Sequence, residues 1–245
     1  MPPRRRRPGL SSVADTAHGP DADRHHPDLV HHFESLPAQK EAATFGMWVF
    51  LVTEVMFFGG LFLAYTLYRN LYFHAFVQSS RHLNLTLGAV NTAVLICSSL
   101  TMAMGVHSSA LGRRRATVAW LLLTVALGSV FLGIKGVEYK DKFDHHLVPG
   151  ERFQAEELHL EGDEARAAQI FYALYFAMTG LHATHMVIGI PIILLIAWMA
   201  HRGRFSPEYH TPVELTGLYW HFVDIIWIFL FPLLYLLGRH LEHGG

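Results

Sequence analysis

Five long runs of apolar residues divide the 245-residue sequence and constrain its fold more than any other feature. They cover residues 45–68, 83–106, 117–137, 167–198 and 215–237, and most charged side chains lie between them. As an α-helix with a rise of about 1.5 Å per residue, each run can cross about 30 Å of hydrocarbon. The sequence therefore predicts an all-α fold, a polytopic membrane helical bundle with five transmembrane helices.

The composition supports this architecture and excludes several functions. Hydrophobic residues make up 51% of the chain and charged residues only 16%, a balance typical of membrane proteins. The net charge of −1, without a basic stripe carrying interleaved aromatic residues, argues against nucleic-acid binding. The single cysteine, Cys97, excludes a disulfide framework and any cysteine-based zinc, iron–sulfur or dicopper site built by this chain alone.

The polar N-terminal segment is predicted to be a disordered tail. Residues 1–40 contain four consecutive arginines with many His, Asp, Pro and Gly residues, a composition that cannot bury a core. Its His-rich part, residues 18–32, is interpreted as solvated rather than metal-binding. Residues 41–245 form the predicted transmembrane domain. Eleven of the 19 Lys and Arg residues lie in the tail and alternate loops, which places the N-terminus in the cytoplasm and the C-terminus outside.

Ionisable side chains inside the spans are the main functional candidates, because each is costly in hydrocarbon unless it is paired, hydrated or protonated. Glu54 lies within the first span, and nothing in its own helix neutralises it. It is interpreted either as a proton carrier or as a protonated structural carboxyl bonded to a neighbouring helix. Lys135 and Glu138, three residues apart near the outer end of the third span, either pair with each other or extend to the headgroups.

Two further groups of polar residues lie on the last two spans. His182 and His185 are three residues apart and share a helix face. They are interpreted as buried histidines hydrogen-bonded across a helix interface rather than as metal ligands, since ligation would need partners from other spans. Glu214, His221 and Asp224 fall on one stripe of the fifth span. This stripe predicts an internal network that is either a proton path or, as we favour, a clamp between helices.

The second span carries a small, polar seam that repeats every seven residues and suits close helix packing. Its members are Asn84, Asn91, Ser98 and Gly105. Pro191 and Pro232 lie inside the fourth and fifth spans, where membrane helices tolerate proline. Neither proline is expected to end its helix.

Four motifs, in matching order and spacing, resemble the subunit III family of haem-copper respiratory oxidases. They are residues 219–227 (YWHFVDIIW), 179–189 (TGLHATHMVIG), 53–58 (TEVMFF) and 90–95 (VNTAVL). The resemblance extends over residues 45–237. The chain looks like the five-helix bacterial form, in which the polar tail replaces the first two helices of the seven-helix form.

The resemblance implies an accessory subunit of a cytochrome c oxidase in a bacterial inner membrane, with no catalytic residue and no metal site of its own. Its partners would be subunits I and II, which hold haem and copper, together with membrane lipids and cytochrome c as the electron donor. Glu54 resembles the intramembrane carboxylate that reacts with hydrophobic carbodiimides and is linked to efficient proton pumping. Arg202 and Arg204 resemble a basic segment that contacts lipid phosphate, which implies bound phospholipid.

Two alternatives remain open on the sequence. The same scaffold serves subunit III of quinol oxidases and a related accessory subunit of nitric oxide reductases, and the electron donor distinguishes them. A stand-alone haem-binding cytochrome or metal transporter would instead use His182, His185 and His221 as ligands. The accessory subunit of a cytochrome c oxidase is the favoured interpretation.

Overall fold

The computed structural model of the chain describes residues 35–150, 153, 158 and 160–237. Within these residues it contains six α-helices and no strand. The helices are α1 (Leu36–Leu71), α2 (Phe73–Arg81), α3 (Leu85–Ala110), α4 (Arg114–Asp144), α5 (Gly162–His201) and α6 (Thr211–Tyr235). The chain divides into two units, residues 1–43 and 44–245, and the second contains every site described below.

All five predicted spans are confirmed as helices. The five long helices contain between 25 and 40 residues each and are apolar enough to cross a bilayer. Each begins before or ends beyond its predicted span, because polar residues at the ends continue the helical hydrogen bonding. Pro191 and Pro232 lie inside α5 and α6 without ending them, as expected. The predicted tail falls mostly on residues 1–34, outside the described residues, and α1 already begins at Leu36.

The sequence did not predict α2, a nine-residue helix between the first two spans. Its Phe76 is fully buried and contacts the ring of Phe171 edge-on, with the ring centroids 5.4 Å apart. Ser80 donates a hydrogen bond to the carbonyl of Leu234 at 2.8 Å. The segment mixes apolar and polar residues and is too short to give a periodic signal, so its burial depends on the helices around it.

Glycines end α3 and α5 in the same way. Gly112 (φ +66°) follows α3, and Gly203 (φ +74°) follows α5. Beyond each glycine, the next N–H donates to a carbonyl five residues back, from Arg113 to Ser108 at 2.9 Å and from Arg204 to Met199 at 3.2 Å. This is the Schellman arrangement, which requires the left-handed conformation that glycine adopts without strain. It turns the chain sharply into the short connections at this end of the bundle.

Trp220 of α6 occupies the centre of the bundle and is fully buried. A Cβ atom on Gly128 would lie 2.8 Å from its Cη2 atom, and one on Gly189 would lie 3.0 Å from its Cζ3 atom. The indole Nε1 donates a hydrogen bond to the hydroxyl of Ser98 at 2.9 Å. Glycines on α4 and α5 thus let both helices approach the indole closely.

Three of the four residues in the predicted small, polar seam on α3 face this core. Asn91, Ser98 and Gly105 are buried. Asn84 lies at the start of α3, where its side chain accepts a hydrogen bond from the N–H of Leu87 at 3.1 Å. It therefore caps the helix instead of packing within it.

Candidate functional site

The Glu54–His185 pair joins α1 to α5 and is the principal candidate site. His185 Nε2 lies 3.2 Å from Glu54 Oε2, within ion-pair distance, although the ring N–H is not aligned for a hydrogen bond. The two side chains are only 19% and 12% exposed, for Glu54 and His185 respectively. Glu54 lies near the middle of α1. Glu54, which has no partner within α1, therefore has His185 of α5 as its partner.

The second ring nitrogen of His185 bonds within its own helix. Nδ1 lies 2.9 Å from the carbonyl oxygen of Leu181. A carbonyl oxygen only accepts, so Nδ1 carries the hydrogen of this bond. Nε2 is then the ring nitrogen that faces Glu54. The structure thus brings one imidazole nitrogen and one carboxyl oxygen together within the membrane helices.

Aromatic side chains surround the pair. The ring of Phe58 lies 5.7 Å from that of His185, and the ring of Tyr219 lies 6.3 Å from it. Tyr219 also donates a hydrogen bond to the His185 carbonyl at 2.9 Å, and Phe50 packs on Tyr219. These contacts hold the imidazole in place beside the carboxyl within an apolar setting.

His182, three residues away on the same helix, has a different environment. Its ring packs between Phe131 at 5.3 Å and Trp227 at 5.2 Å, and the residue is 1% exposed. Neither ring nitrogen has a hydrogen-bond partner among the described residues. The cross-helix hydrogen bond expected of His182 is therefore not formed, because its neighbours are aromatic rings. An aromatic cage holds this histidine instead.

Four residues form a buried polar cluster, which we call the Lys135 cluster: Lys135, Glu138, Tyr175 and Tyr235. Lys135 Nζ lies 3.1 Å from Glu138 Oε2, 2.7 Å from the Tyr235 hydroxyl and 3.3 Å from the Tyr175 hydroxyl. Tyr175 donates to Glu138 Oε1 at 2.7 Å, and Tyr235 donates to the same oxygen. The cluster joins α4, α5 and α6. Of the two alternatives for Lys135 and Glu138, the structure forms the ion pair.

Aromatic rings also enclose the ammonium group of Lys135. Four ring centroids lie between 4.9 and 5.7 Å from Nζ, those of Trp227, Tyr175, Tyr235 and Tyr139. The side chains of Lys135 and Glu138 are 4% and 2% exposed. Ring faces attract a desolvated cation, so this enclosure adds to the ion pair. The result is a closed, fully paired clamp rather than a site open to a ligand.

The three polar residues predicted as one stripe on α6 do not all have the same partner. Glu214 pairs with His210 at 3.1 Å near the start of the helix. His221 contacts the hydroxyl of Ser99 at 2.7 Å. Asp224 is 2% exposed, and no hydrogen bond joins it to His221. Ser99 of α3 is a hydrogen-bond partner of both His221 and Asp224, so these two members of the stripe are linked, whereas Glu214 pairs separately.

Arg202 and Arg204 lie at and just beyond the end of α5, with exposed side chains. The guanidinium of Arg202 stacks over Trp198 at 5.0 Å. At the same end of α5, a cavity of about 370 Å³ is lined by Arg114, Arg115, Val118 and His201. This end of the bundle is therefore rich in exposed cations, as a surface at the headgroup level would be.

The sequence identified most polar residues of these sites but not the residues that they contact. Tyr175 and Tyr235 lie 40 and 100 positions from Lys135, and no spacing rule connects residues so far apart. A tyrosine in an apolar run gives one usable signal, since its hydroxyl needs a hydrogen-bond partner once it is buried. That signal indicates that a partner exists without identifying it.

Comparison with known proteins gives a consistent result across the bundle. Residues 31–144 and 152–239 match the family described as cytochrome c oxidase subunit III. Cytochrome c oxidase subunit 3 of Thermostichus vulcanus is 35% identical over 195 residues, which is 79% of this chain and 87% of that protein. The Synechocystis protein of the same name is 34% identical over 194 residues, or 79% of this chain and 75% of that protein. Quinol oxidase subunit 3 of Bacillus subtilis is 28% identical over 193 residues, which is 79% of this chain and 86% of that protein.

Proposed function

Because the chain belongs to the family of cytochrome c oxidase subunit III, we propose that it supports proton uptake by its oxidase through the Glu54–His185 pair. The chain serves as subunit III of a bacterial aerobic respiratory haem-copper oxidase. It is a multi-pass membrane protein and part of an oxidoreductase complex. The observation that carries the proposal is the 3.2 Å contact between Nε2 and Oε2 in the middle of a membrane helix.

In the proposed complex the chain packs against subunit I, beside subunit II, in a bacterial inner membrane. Its N-terminus lies in the cytoplasm and its C-terminus in the periplasm, and Arg202 and Arg204 contact phospholipid phosphate. Haem and copper reside in the partner subunits, and the chain carries no redox centre. In support, His182, His185 and His221 have different neighbours in the described part of the chain and do not converge as ligands would.

The proposed role of the pair is to keep one proton available at membrane depth. A proton on Nε2 stabilises the adjacent carboxylate, and a proton on the carboxyl leaves Nε2 as its acceptor. The aromatic residues around the pair keep the two atoms at a fixed distance. A nearby subunit that consumes protons then has a local donor. The chain contributes to proton supply, whereas oxygen reduction takes place elsewhere in the complex.

The second candidate is subunit III of a quinol oxidase, which the likeness to the Bacillus subtilis protein keeps open. Native mass spectrometry of the complex purified through a tag on this chain would identify the companions. We expect a companion with a dicopper centre, because cytochrome c delivers electrons through such a centre. A complex that lacks it and oxidises quinol would replace the cytochrome c assignment with the quinol one.

Replacing Glu54 tests the proton role directly. We expect Glu54→Ala to lower the number of protons pumped per electron. The variant oxidase should also become inactive several-fold sooner during turnover. The double variant Glu54→Ala/His185→Phe should behave like either single variant, because both changes remove the same pair. The measurement is proton release by vesicles containing the purified complex, together with oxygen consumption over time.

Thr53→Ala provides the control on the same helix, since the Thr53 hydroxyl bonds only to the Phe50 carbonyl of its own helix at 2.7 Å among the described residues. This variant should pump and inactivate like the wild type. Unchanged pumping and inactivation in Glu54→Ala would refute the proton role and leave the pair a structural contact between α1 and α5.

A further inference from the structure

The basic cavity at the end of α5, which we call the Arg114 cavity, brings cations from two helices together. It has a volume of about 370 Å³ and is lined by Arg114, Arg115, Val118 and His201. The two arginines belong to the first turn of α4, and His201 is the last residue of α5. A Cβ atom on Gly203 would lie 3.5 Å from Arg114 Nη1, so this guanidinium lies against the end of α5. The packing of α4 beside α5 therefore shapes the cavity.

The cations of the Arg114 cavity have no counter-charge among the described residues. The side chains of Arg114, Arg115 and His201 form no ion pair and no hydrogen bond with any of these residues. An exposed arginine elsewhere does form such a pair, since Arg166 lies 3.5 Å from the carboxylate of Asp163. Like charges that converge on one cavity repel one another and attract an anion to it.

The start of α4 adds backbone donors to these side chains. Arg113 precedes the helix, and its side chain does not cap it. The N–H groups of Arg115 and Ala116 accordingly donate to no backbone carbonyl within the described part of the chain. Free N–H groups at the positive end of a helix dipole favour an anion. Backbone and side chains therefore favour the same kind of ligand.

A buried serine hydroxyl beside the cavity also needs a partner. A second cavity of about 10 Å³, roughly the volume that one water molecule needs, shares Arg114 with the first. Ser109 lines this second cavity, is 4% exposed, and its hydroxyl makes no hydrogen bond with a described residue. Thr117 lines it too, but its hydroxyl already donates to the Arg113 carbonyl at 3.2 Å. An anion oxygen, or a water molecule bound to one, would accept the hydrogen of Ser109 and satisfy a group that is costly to leave unpaired.

We propose that the Arg114 cavity binds a phosphate group, which either an anionic phospholipid or free phosphate supplies. Guanidinium groups match the oxygens of a phosphate and donate two parallel hydrogen bonds to them. Basic pockets between membrane helices at the headgroup level suit such a ligand. The site is separate from Arg202 and Arg204, which do not line the cavity. It goes beyond the proposed function, because it does not depend on the Glu54–His185 pair.

Titration of the purified, delipidated complex with phosphatidylglycerol, followed by native mass spectrometry, tests the site. We expect Arg114→Gln/Arg115→Gln to raise the Kd of one bound lipid by about ten-fold or more, because charged hydrogen bonds are lost. Ser109→Ala should raise the same Kd less, by several-fold. Arg113→Gln is the matched control, since it removes the same charge one position earlier, outside the lining of the cavity. It should leave this Kd unchanged.

A parallel titration with inorganic phosphate, read as the apparent Tm of the same complex, distinguishes the two sources. A rise in Tm that the Arg114→Gln/Arg115→Gln variant abolishes assigns the site to free phosphate, and lipid binding alone with that dependence assigns it to a phospholipid. The proposal is overturned if neither ligand depends on the two arginines. It is also overturned if Arg113→Gln weakens binding as much as the double variant, because the attraction is then that of any basic surface. Both readouts measure binding, so a failure of the proton role would leave them unaffected.

Discussion

Lys135→Met is expected to destabilise the chain by about 3–5 kcal/mol, because it leaves the buried carboxylate of Glu138 without its cation. The substitution keeps the length and much of the volume of the side chain, so packing changes little. What is lost is the ion pair at 3.1 Å and the contacts of the ammonium with two tyrosine hydroxyls. No water reaches a carboxylate that is 2% exposed, so solvent does not compensate for the loss. The measurement is the apparent Tm of the detergent-solubilised complex, with the release of this subunit as the readout.

Two companion variants identify the cause. Lys140→Met makes the same chemical change at an exposed position of the same helix and should leave the Tm unchanged. Lys135→Met/Glu138→Gln should recover at least half of the loss, since glutamine still accepts hydrogen bonds from both tyrosines and carries no charge. A double variant as unstable as Lys135→Met would show that the loss comes from packing around the aromatic rings and not from the unpaired carboxylate.

Gly128→Leu is expected to separate α4 from α6 and to lower stability by about 1–3 kcal/mol, towards the upper end of that range. Even a single Cβ atom would lie 2.8 Å from Trp220 Cη2, and a leucine adds three more carbon atoms. The indole cannot move away, because Gly189 approaches its other edge and Ser98 holds its Nε1 atom. Gly128→Ala should show a smaller effect in the same direction. The measurement is again the apparent Tm, together with the amount of subunit retained in the complex.

Gly133→Leu is the matched control on α4. A Cβ atom at this position meets nothing within 4 Å, so the added side chain faces open space. We expect normal assembly and an unchanged Tm. Equal loss at both positions would indicate a general intolerance of α4 to bulky residues, and the close approach at Trp220 would then not be the reason.

Together these two predictions separate two ways of holding the bundle. Gly128 and Trp220 act through close packing, which drives helix association in a membrane because lipid and apolar side chains are equally hydrophobic. The Lys135 cluster acts through polar groups that have no alternative partner once they are buried. Both join α4 to α6, and the two effects should be close to additive because they involve different contacts.

The sequence by itself determined the architecture. Five apolar runs of sufficient length leave little choice other than five membrane helices, since every backbone polar group must be satisfied within the helix. It also determined that Lys135 and Glu138 can pair, because residues three apart in one helix are neighbours whatever surrounds them. Both conclusions follow from local geometry, which does not depend on how the helices assemble.

Only the tertiary structure decided which residue each polar side chain contacts. His182 and His185 illustrate the reason: three residues along a helix correspond to about 60° around its axis, enough for one ring to lie among aromatic residues while the other faces Glu54. Likewise, Tyr235 reaches Lys135 across 100 positions of sequence. Spacing along a chain defines a face of a helix, but what that face meets depends on how the helices pack against one another.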